Sequence, residues 1–183
     1  MKLETIISQQ VIDCERFTLR PLRKSDAGLL ERYSSDERIA RSTSHIAHPL
    51  PPGSTEAFIA RVTSEDRSEE VWVLDGSTHG HAELLGVIGL TCIERGQAEI
   101  GYWIAPAFWN TGYASEAVTA MLDANPKGCS SIFAEVFQDN PASARVLTNA
   151  GFEYIGDAET HSVARGTNVE TWTYIKKMGQ AAR

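Results

Sequence analysis

One stretch, residues 97–122, constrains the fold more than any other part of the chain; it reads QAEIGYWIAPAFWNTGYASEAVTAML. Its first part, 98–104, is apolar and aromatic apart from Glu99, which is typical of a strand. Pro106 ends that strand because proline has no N–H to give to a neighbouring strand. The apolar residues then recur at 114, 117, 118, 121 and 122, the spacing of an amphipathic helix. The stretch therefore predicts a strand, an aromatic turn, a glycine and a helix, in that order.

The glycine of this turn, Gly112, stands where the predicted helix begins. The first N–H groups of a helix have no partner inside it, and together with the positive end of the helix dipole they attract phosphate groups. A glycine there also lets a ligand approach the backbone with no side chain in the way. An ordinary turn between strand and helix explains the same residue, since one glycine at a helix start is a weak motif. Spacing alone leaves both interpretations open.

Length and composition indicate a soluble chain with one domain, residues 1–183, in which 1–15 form a weakly structured lead-in. A chain of this size buries about 70% of its unfolded surface without help. The formal net charge of −7 argues against a nucleic-acid partner, which would need a basic face. No run reaches the ~20 apolar residues of a membrane span, and the start of the chain has no signal-peptide pattern. Neither nucleic acid nor membrane is therefore an expected partner.

The cysteines point to a reducing compartment. Cys14, Cys92 and Cys129 are an odd number, lie far apart in the chain and form no CxxC motif. This pattern suggests reduced thiols in a cytoplasmic protein rather than a disulfide framework.

The remaining segments predict a mixed α/β (α+β) sheet of about seven strands with about four helices. Three strands in the first half are expected to form an antiparallel meander, and a polar loop spans about 36–53. The strand at 131–138 should run parallel to the strand at 98–104, because the predicted helix between them makes a right-handed crossover. Asn140 and Pro141 suit the cap and the first position of a further helix.

Two sequence blocks, together with this order of elements, resemble the GNAT superfamily of N-acetyltransferases. The blocks are AEIGYWIAPAFWNTGYASEA at 98–117 and DNPASARVLTNAGF at 139–152. They are most similar to the branch that contains the ribosomal-protein N-terminal (alanine) acetyltransferases. The resemblance extends from about residue 17 to residue 177, and it implies a GNAT-like fold with an antiparallel N-terminal half and a parallel central βαβ unit.

The resemblance implies acetyl-CoA as co-substrate and a binding path for it. The thioester carbonyl and the pantetheine amides would bond to the backbone of the central strand at Trp103, Ile104 and Ala105. The pyrophosphate would bond to the N–H groups of six consecutive residues, Asn110, Thr111, Gly112, Tyr113, Ala114 and Ser115. Where the superfamily usually has Gln or Arg at the start of this loop, the chain has Trp109. Backbone amides are therefore expected to do most of the phosphate binding.

Glu99 is the candidate base, acting through a water molecule. A carboxylate on an otherwise apolar strand is expected to have a raised pKa, which suits a base. The alternative is an exposed charge or a salt-bridge partner, although matching family members place a Glu at this position. His45 and His48, in the long loop that walls the acceptor pocket in this family, are further candidates for the base.

Ser143 is the candidate acid for the leaving thiolate, as the Asn-x-x-Ser pattern of the branch implies. Many superfamily members use a tyrosine four residues further on, where this chain has Leu147. A serine in the first turn of a helix can also serve only to satisfy the helix end. Asn140 can cap the helix, contact CoA, or do both.

These residues predict an enzyme that transfers an acetyl group to a primary amine, either a protein N-terminus or a small amine, by direct attack. Two alternatives stay open: a catalytically weak acyl-CoA-binding sensor, and a GNAT-like scaffold that binds no CoA. No metal is expected, since His79 and His81 have no third ligand nearby in sequence. A homodimer is suggested by analogy alone, and a preference for longer acyl groups is left open.

Overall fold

The computed structural model describes residues 9–179, which are built around one eight-stranded sheet. The strands are β1 (Ile12–Asp13), β2 (Thr18–Pro21), β3 (Glu69–Asp75), β4 (Gly86–Glu94), β5 (Gln97–Ile104), β6 (Ser131–Phe137), β7 (Glu153–Ser162) and β8 (Thr167–Lys177). The helices are α1 (Ala27–Ser34), α2 (Glu37–Ser42), α3 (Ser54–Thr63), α4 (Tyr113–Ala124) and α5 (Pro141–Asn149).

The strand order is β1-β2-β3-β4-β5-β6-β8-β7. Strands β1 to β5 are antiparallel neighbours in chain order, whereas β6 lies parallel to β5 with α4 connecting them. Strand β8 pairs antiparallel with both β6 and β7. The predicted mixed α/β fold, with its antiparallel first half and parallel centre, is therefore confirmed.

The structure has one strand and one helix more than the sequence predicted. Strand β1 lies inside the predicted weakly structured lead-in, where Ile12 pairs with Leu19; residues 1–8 of that lead-in are outside the described residues. Helix α2 lies inside the predicted loop at 36–53. It begins because the Asp36 carboxylate accepts the Arg38 N–H at 2.9 Å, and it buries Ile39 against the core.

The two faces of the sheet pack against different helices. One face, with Ile88, Ile100 and Ile132, packs against α4 and α5 in the larger core. The other face, with Val87 and Trp103, packs against α1, α2 and α3. Successive side chains of a strand point to opposite faces, so β5 contributes to both cores.

A gap opens in the middle of the sheet. Strands β5 and β6 pair only over 97–99 with 131–133. Beyond that point β5 stays paired with β4 as far as Ile104, and β6 stays paired with β8 along its whole length. The two central strands therefore diverge, and backbone groups along the facing edges are left available for a ligand.

The other sequence expectations concern membranes and thiols. Cys14, Cys92 and Cys129 are all free. Among the helices within residues 9–179, none combines the length and the apolar character needed to cross a membrane.

Candidate active site

A cleft of about 1510 Å³ passes through the gap between β5 and β6. The beginnings of α4 and α5 border it on one side of the sheet, and residues of the segment 38–58 border it on the other. Apart from Ala105 and the alternative base His48, every predicted site residue borders this cleft: Glu99, His45, Trp103, Ile104, Asn110, Thr111, Gly112, Tyr113, Ala114, Ser115, Asn140 and Ser143. Ala105 is fully buried, and its N–H donates to the Leu85 carbonyl at 2.9 Å. Its N–H is therefore engaged within the protein.

The start of α4 has the geometry of an anion-binding cradle. Gly112 has a φ of +82° and Asn110 a φ of +58°, and the right-handed helix follows directly. Such a change from left- to right-handed backbone turns successive N–H groups toward one point. Within residues 9–179, none of the N–H groups of 110–115 donates a hydrogen bond to another protein atom. The phosphate site that spacing alone left open therefore has suitable geometry.

The side chain of Arg16 stabilises this cradle, a role that sequence analysis missed. Its Nη1 donates to the Thr111 carbonyl at 2.8 Å, and its Nε donates to the Glu116 carboxylate at 2.7 Å. The guanidinium also lies 4.3 Å from the centre of the Tyr113 ring. A cation therefore stands beside the phosphate loop, but it comes from the segment before β2 and not from the loop itself.

Trp109 lies at the edge of the cleft and contacts the last residue of β5. Its indole N–H donates to the Ile104 carbonyl at 2.6 Å, and the Arg38 guanidinium lies 5.5 Å from its ring. Because backbone groups alternate in direction along a strand and the Ala105 N–H points toward β4, the N–H groups of Ile104 and Tyr102 point toward the gap. The free edge of β5 is therefore at these two residues.

Glu99 faces the cleft together with a second carboxylate that sequence analysis missed, Glu135. Glu99 pairs with Phe133 across the parallel strands, so Glu135, two residues further along β6, lies on the same face of the sheet. Glu99 is exposed to the cleft, where partial burial raises its pKa and the negative charge of Glu135 raises it further. The raised pKa agrees with the expectation for a base.

The orientation of Glu135 is fixed by two hydroxyls. Its Oε1 accepts from Thr171 at 2.6 Å and also from Thr160. These threonines come from β8 and β7, far along the chain, so no local pattern around Glu135 could have revealed the arrangement.

The two loop histidines differ in position. His45 borders the cleft, whereas His48 does not. His45 is exposed to the cleft, where partial burial lowers its pKa; the Glu69 carboxylate opposes that shift, and the Arg61 guanidinium adds to it. Glu69 and Arg61 form an ion pair of 2.6 Å. His45 therefore stays in the cleft wall as the alternative base.

Ser143 is held in the first turn of α5 by the residue predicted to cap that helix. The Asn140 side chain accepts the Ser143 N–H at 3.3 Å, which confirms its capping role. The Ser143 hydroxyl oxygen lies 2.8 Å from the hydroxyl of Tyr102, which reaches it from β5. Leu147, one turn further along α5, is fully buried in the core.

The tip of the β7–β8 hairpin, residues 163–166, crosses to both walls of the cleft; we call it the hairpin latch. The Arg165 guanidinium donates to the Arg41 carbonyl at 2.6 Å and pairs with the Asp139 carboxylate at 2.5 Å. The Val163 N–H donates to the Ser44 carbonyl at 3.0 Å. The latch thus connects the end of α2 with the residue before the α5 cap.

One of the two histidines in the turn after β3 packs against the site. His81 packs edge-on against Tyr113 with ring centres 6.1 Å apart. Among residues 9–179, no group of three or more His, Cys, Asp or Glu side chains is placed to hold a metal ion.

The fold and the site together define a class of protein. A sheet opened at its centre, an anion cradle at one end of the gap, and a carboxylate and a hydroxyl along it are what an acyltransferase with a phosphate-bearing donor requires. Residues 16–153 match the acetyltransferase (GNAT) domain model. The chain therefore belongs to the GNAT acetyltransferase family, whose co-substrate is acetyl-CoA.

Two relatives are N-acetyltransferases of uncharacterised function. YoaA of Bacillus subtilis (strain 168) is 38% identical over 96 residues, which are 50% of this chain and 54% of YoaA. That match therefore spans about half the length of the relative. The p20 protein of Bacillus licheniformis is 26% identical over 166 residues, 87% of this chain and 92% of p20.

Solved structures share the fold. RimL, a ribosomal L7/L12 alpha-N-protein acetyltransferase in complex with coenzyme A, superposes with a TM-score of 0.80 at 18% identity, over 94% of this chain and 100% of that one. A spermidine N-acetyltransferase from Vibrio cholerae, in complex with CoA and spermine, gives 0.76 at 18% identity, over 90% and 97%. At these identities the likeness is one of fold.

Proposed function

We propose that this chain transfers the acetyl group of acetyl-CoA to a primary amine by direct attack of the amine. The observation that carries the proposal is the set of N–H groups at 110–115, which have no acceptor within residues 9–179 and border the same cleft as Glu99. An anionic donor that binds at the cradle therefore lies in the same cleft as a base on β5.

The donor would be held by backbone groups. The N–H groups of 110–115 bind its pyrophosphate, since the cradle supplies several donors and the positive end of a helix. The free edge of β5, at Tyr102 and Ile104, binds the pantetheine arm. Of the residues 103–105 that were predicted to bond to the pantetheine arm, Ala105 does not fit, because its N–H already donates to Leu85.

In the reaction, Glu99 takes a proton from the acceptor ammonium through a water molecule. The freed nitrogen forms a C–N bond with the acetyl carbon while the C–S bond breaks, and the nitrogen then releases its second proton to solvent as the amide forms. Ser143 gives the proton that the leaving sulfur needs, and solvent restores both groups to their starting protonation states. The raised pKa of Glu99 favours its role, because a base works best when its pKa is near the working pH.

The acceptor is a primary amine, and two kinds fit. RimL is named as acting on a protein N-terminus, and the Vibrio cholerae enzyme as acting on spermidine. Glu99 and Glu135 share the acceptor side of the cleft, and their negative charges attract a cationic amine. Both a protein N-terminus and a small amine carry that charge.

A transfer assay tests the proposal directly. The protein is incubated with acetyl-CoA and either short peptides with a free N-terminus or small di- and polyamines, and released thiol and acetylated product are measured. We expect product from at least one group, and none from the same peptides with a blocked N-terminus. Saturable acetyl-CoA binding without product for any acceptor would favour the sensor. A protein that fails to bind acetyl-CoA would contradict both the enzyme and the sensor.

Glu135 gives a prediction about pH. In Glu135→Gln, the rise of kcat/KM at the acidic side of the pH profile moves to lower pH. Glu99 must be deprotonated to act, and removing the neighbouring negative charge lowers its pKa, so the active form persists in more acidic solution. Glu159→Gln, an exposed carboxylate on β7, is the matched control and should leave the profile unchanged. An identical pH profile in wild type and Glu135→Gln would contradict the prediction, because it would mean that Glu135 does not affect the protonation of Glu99.

The free thiols and the net charge bear on where the chain acts and on its partners. We infer that residues 1–183 act as one domain in the cytoplasm, which the three free thiols favour. The homodimer is proposed by analogy with the family, and the net charge of −7 favours neither nucleic acid nor an anionic membrane surface.

A further inference from the structure

Ser143 and Tyr102 form a pair of hydroxyls, of which the proposed reaction uses only that of Ser143. Their oxygens are 2.8 Å apart, and the Tyr102 hydroxyl is also 3.3 Å from the Ser143 carbonyl oxygen. Within residues 9–179, Tyr102 is the only hydrogen-bond partner of the Ser143 hydroxyl. Two hydroxyls at this distance share one hydrogen bond, in which one of them donates and the other accepts.

The two hydroxyls differ in their surroundings. Tyr102 points from β5 toward α5 and packs against the larger core, so its hydroxyl is fixed by the sheet. Burial raises its pKa to about 12, so the phenol stays protonated throughout the working range of an enzyme. Ser143, in contrast, borders the cleft at the start of a helix.

We propose that Tyr102 is a positioning residue for Ser143: its hydroxyl donates to Ser143 Oγ and so turns the serine O–H into the cleft, toward the leaving sulfur. A serine that accepts one hydrogen bond also becomes a better donor of the next, because hydrogen bonds in a chain polarise one another. Tyr102 does not need to lose its proton in this arrangement. The inference rests on the proposed role of Ser143 as acid.

The same arrangement explains how the site has a second hydroxyl although the helix position one turn beyond Ser143 has none. Leu147 is fully buried and carries no hydroxyl. The second hydroxyl of the pair comes instead from the opposite wall, on the strand that carries Glu99. A single strand therefore bears both the proposed base and the residue that orients the proposed acid, three positions apart and on opposite faces of the sheet.

A double-mutant cycle tests the inference. Tyr102→Phe keeps the ring and its packing but removes the hydroxyl, and we expect kcat to fall about tenfold, the order expected for one well-placed hydrogen bond, with KM for acetyl-CoA unchanged. Ser143→Ala should lower kcat further, and the double variant should match Ser143→Ala within about twofold. Tyr154→Phe, an exposed tyrosine on β7, is the matched control with wild-type kcat. Effects that multiply in the double variant, or a wild-type kcat in Tyr102→Phe, would overturn the inference.

A binding measurement separates this inference from the proposed function. The affinity of free CoA is measured as pH rises through the thiol pKa of about 8.5. An oriented Ser143 hydroxyl favours the thiolate, so wild-type affinity should increase over this range, and the increase should be lost in both Tyr102→Phe and Ser143→Ala. Its survival in Tyr102→Phe alone overturns the role of Tyr102 and leaves the acid in place. Its survival in Ser143→Ala overturns both roles, and a protein that does not bind CoA overturns the proposed function itself.

Discussion

Replacing Glu99 by glutamine should lower kcat by about 10²- to 10³-fold at neutral pH, the range expected when a positioned base is lost. The amide has nearly the same shape as the carboxylate but cannot accept the proton of the acceptor ammonium. The proposed pyrophosphate cradle at 110–115 is unaltered, so affinity for acetyl-CoA should stay within about twofold of wild type. The acidic side of the pH profile should also flatten, because the group whose raised pKa produced it is gone.

Steady-state kinetics with saturating acceptor, and calorimetric titration with acetyl-CoA, measure the two effects separately. Glu94→Gln is the matched control: this residue is exposed at the far end of β4 and should behave as wild type. If Glu99→Gln kept wild-type turnover, His45 would become the leading candidate, since it borders the same cleft and burial favours its neutral, proton-accepting form.

Replacing Gly112 by glutamate should weaken acetyl-CoA binding by at least about 100-fold. A carboxylate placed near 4 Å from a phosphate costs about 4 kcal/mol at an effective dielectric constant of 20, which would account for such a loss. The position also has a φ of +82°, which disfavours any side chain, and its new Cβ would lie 3.4 Å from the Arg16 guanidinium. Loss of the cradle should therefore abolish turnover at ordinary donor concentrations.

Two controls isolate the cause. Gly128→Glu introduces the same charge at a φ of +60° in the turn after α4, where no heavy atom lies within 4 Å of a new Cβ; it should bind acetyl-CoA normally. Gly112→Ala keeps the backbone strain without the charge and should fall between wild type and Gly112→Glu. Equal affinities in Gly112→Glu and wild type would mean that the donor phosphates bind elsewhere.

The parts of the fold that the sequence predicted are those fixed by short-range patterns. An apolar and aromatic run predicted β5, the 3.6-residue period predicted α4, and the pair Asn140 and Pro141 marked the start of α5. Elements that are too short to show a pattern were not predicted. Strand β1 has two residues, and α2 has six, too few to show a period.

The site was predictable where it consists of one continuous segment, and not where distant segments meet. The cradle at α4 is continuous, so Gly112 and its neighbours could be named in advance. Arg16 and Glu116 are 100 positions apart, and Glu135 is oriented by two strands that follow it. The pairing of Tyr102 with Ser143 depends on how α5 packs over β5. Each of these contacts follows from tertiary packing that local sequence does not encode.

The hairpin latch has a consequence for how substrate preference can change. One guanidinium, that of Arg165, ties the end of the acceptor-side helix α2 to Asp139, which directly precedes the helix that carries Ser143. A surface turn that supplies none of the proposed reacting groups therefore links the two walls of the cleft. We expect substitutions in that turn to change which acceptors are preferred, because they alter this link and leave Glu99 and Ser143 in place.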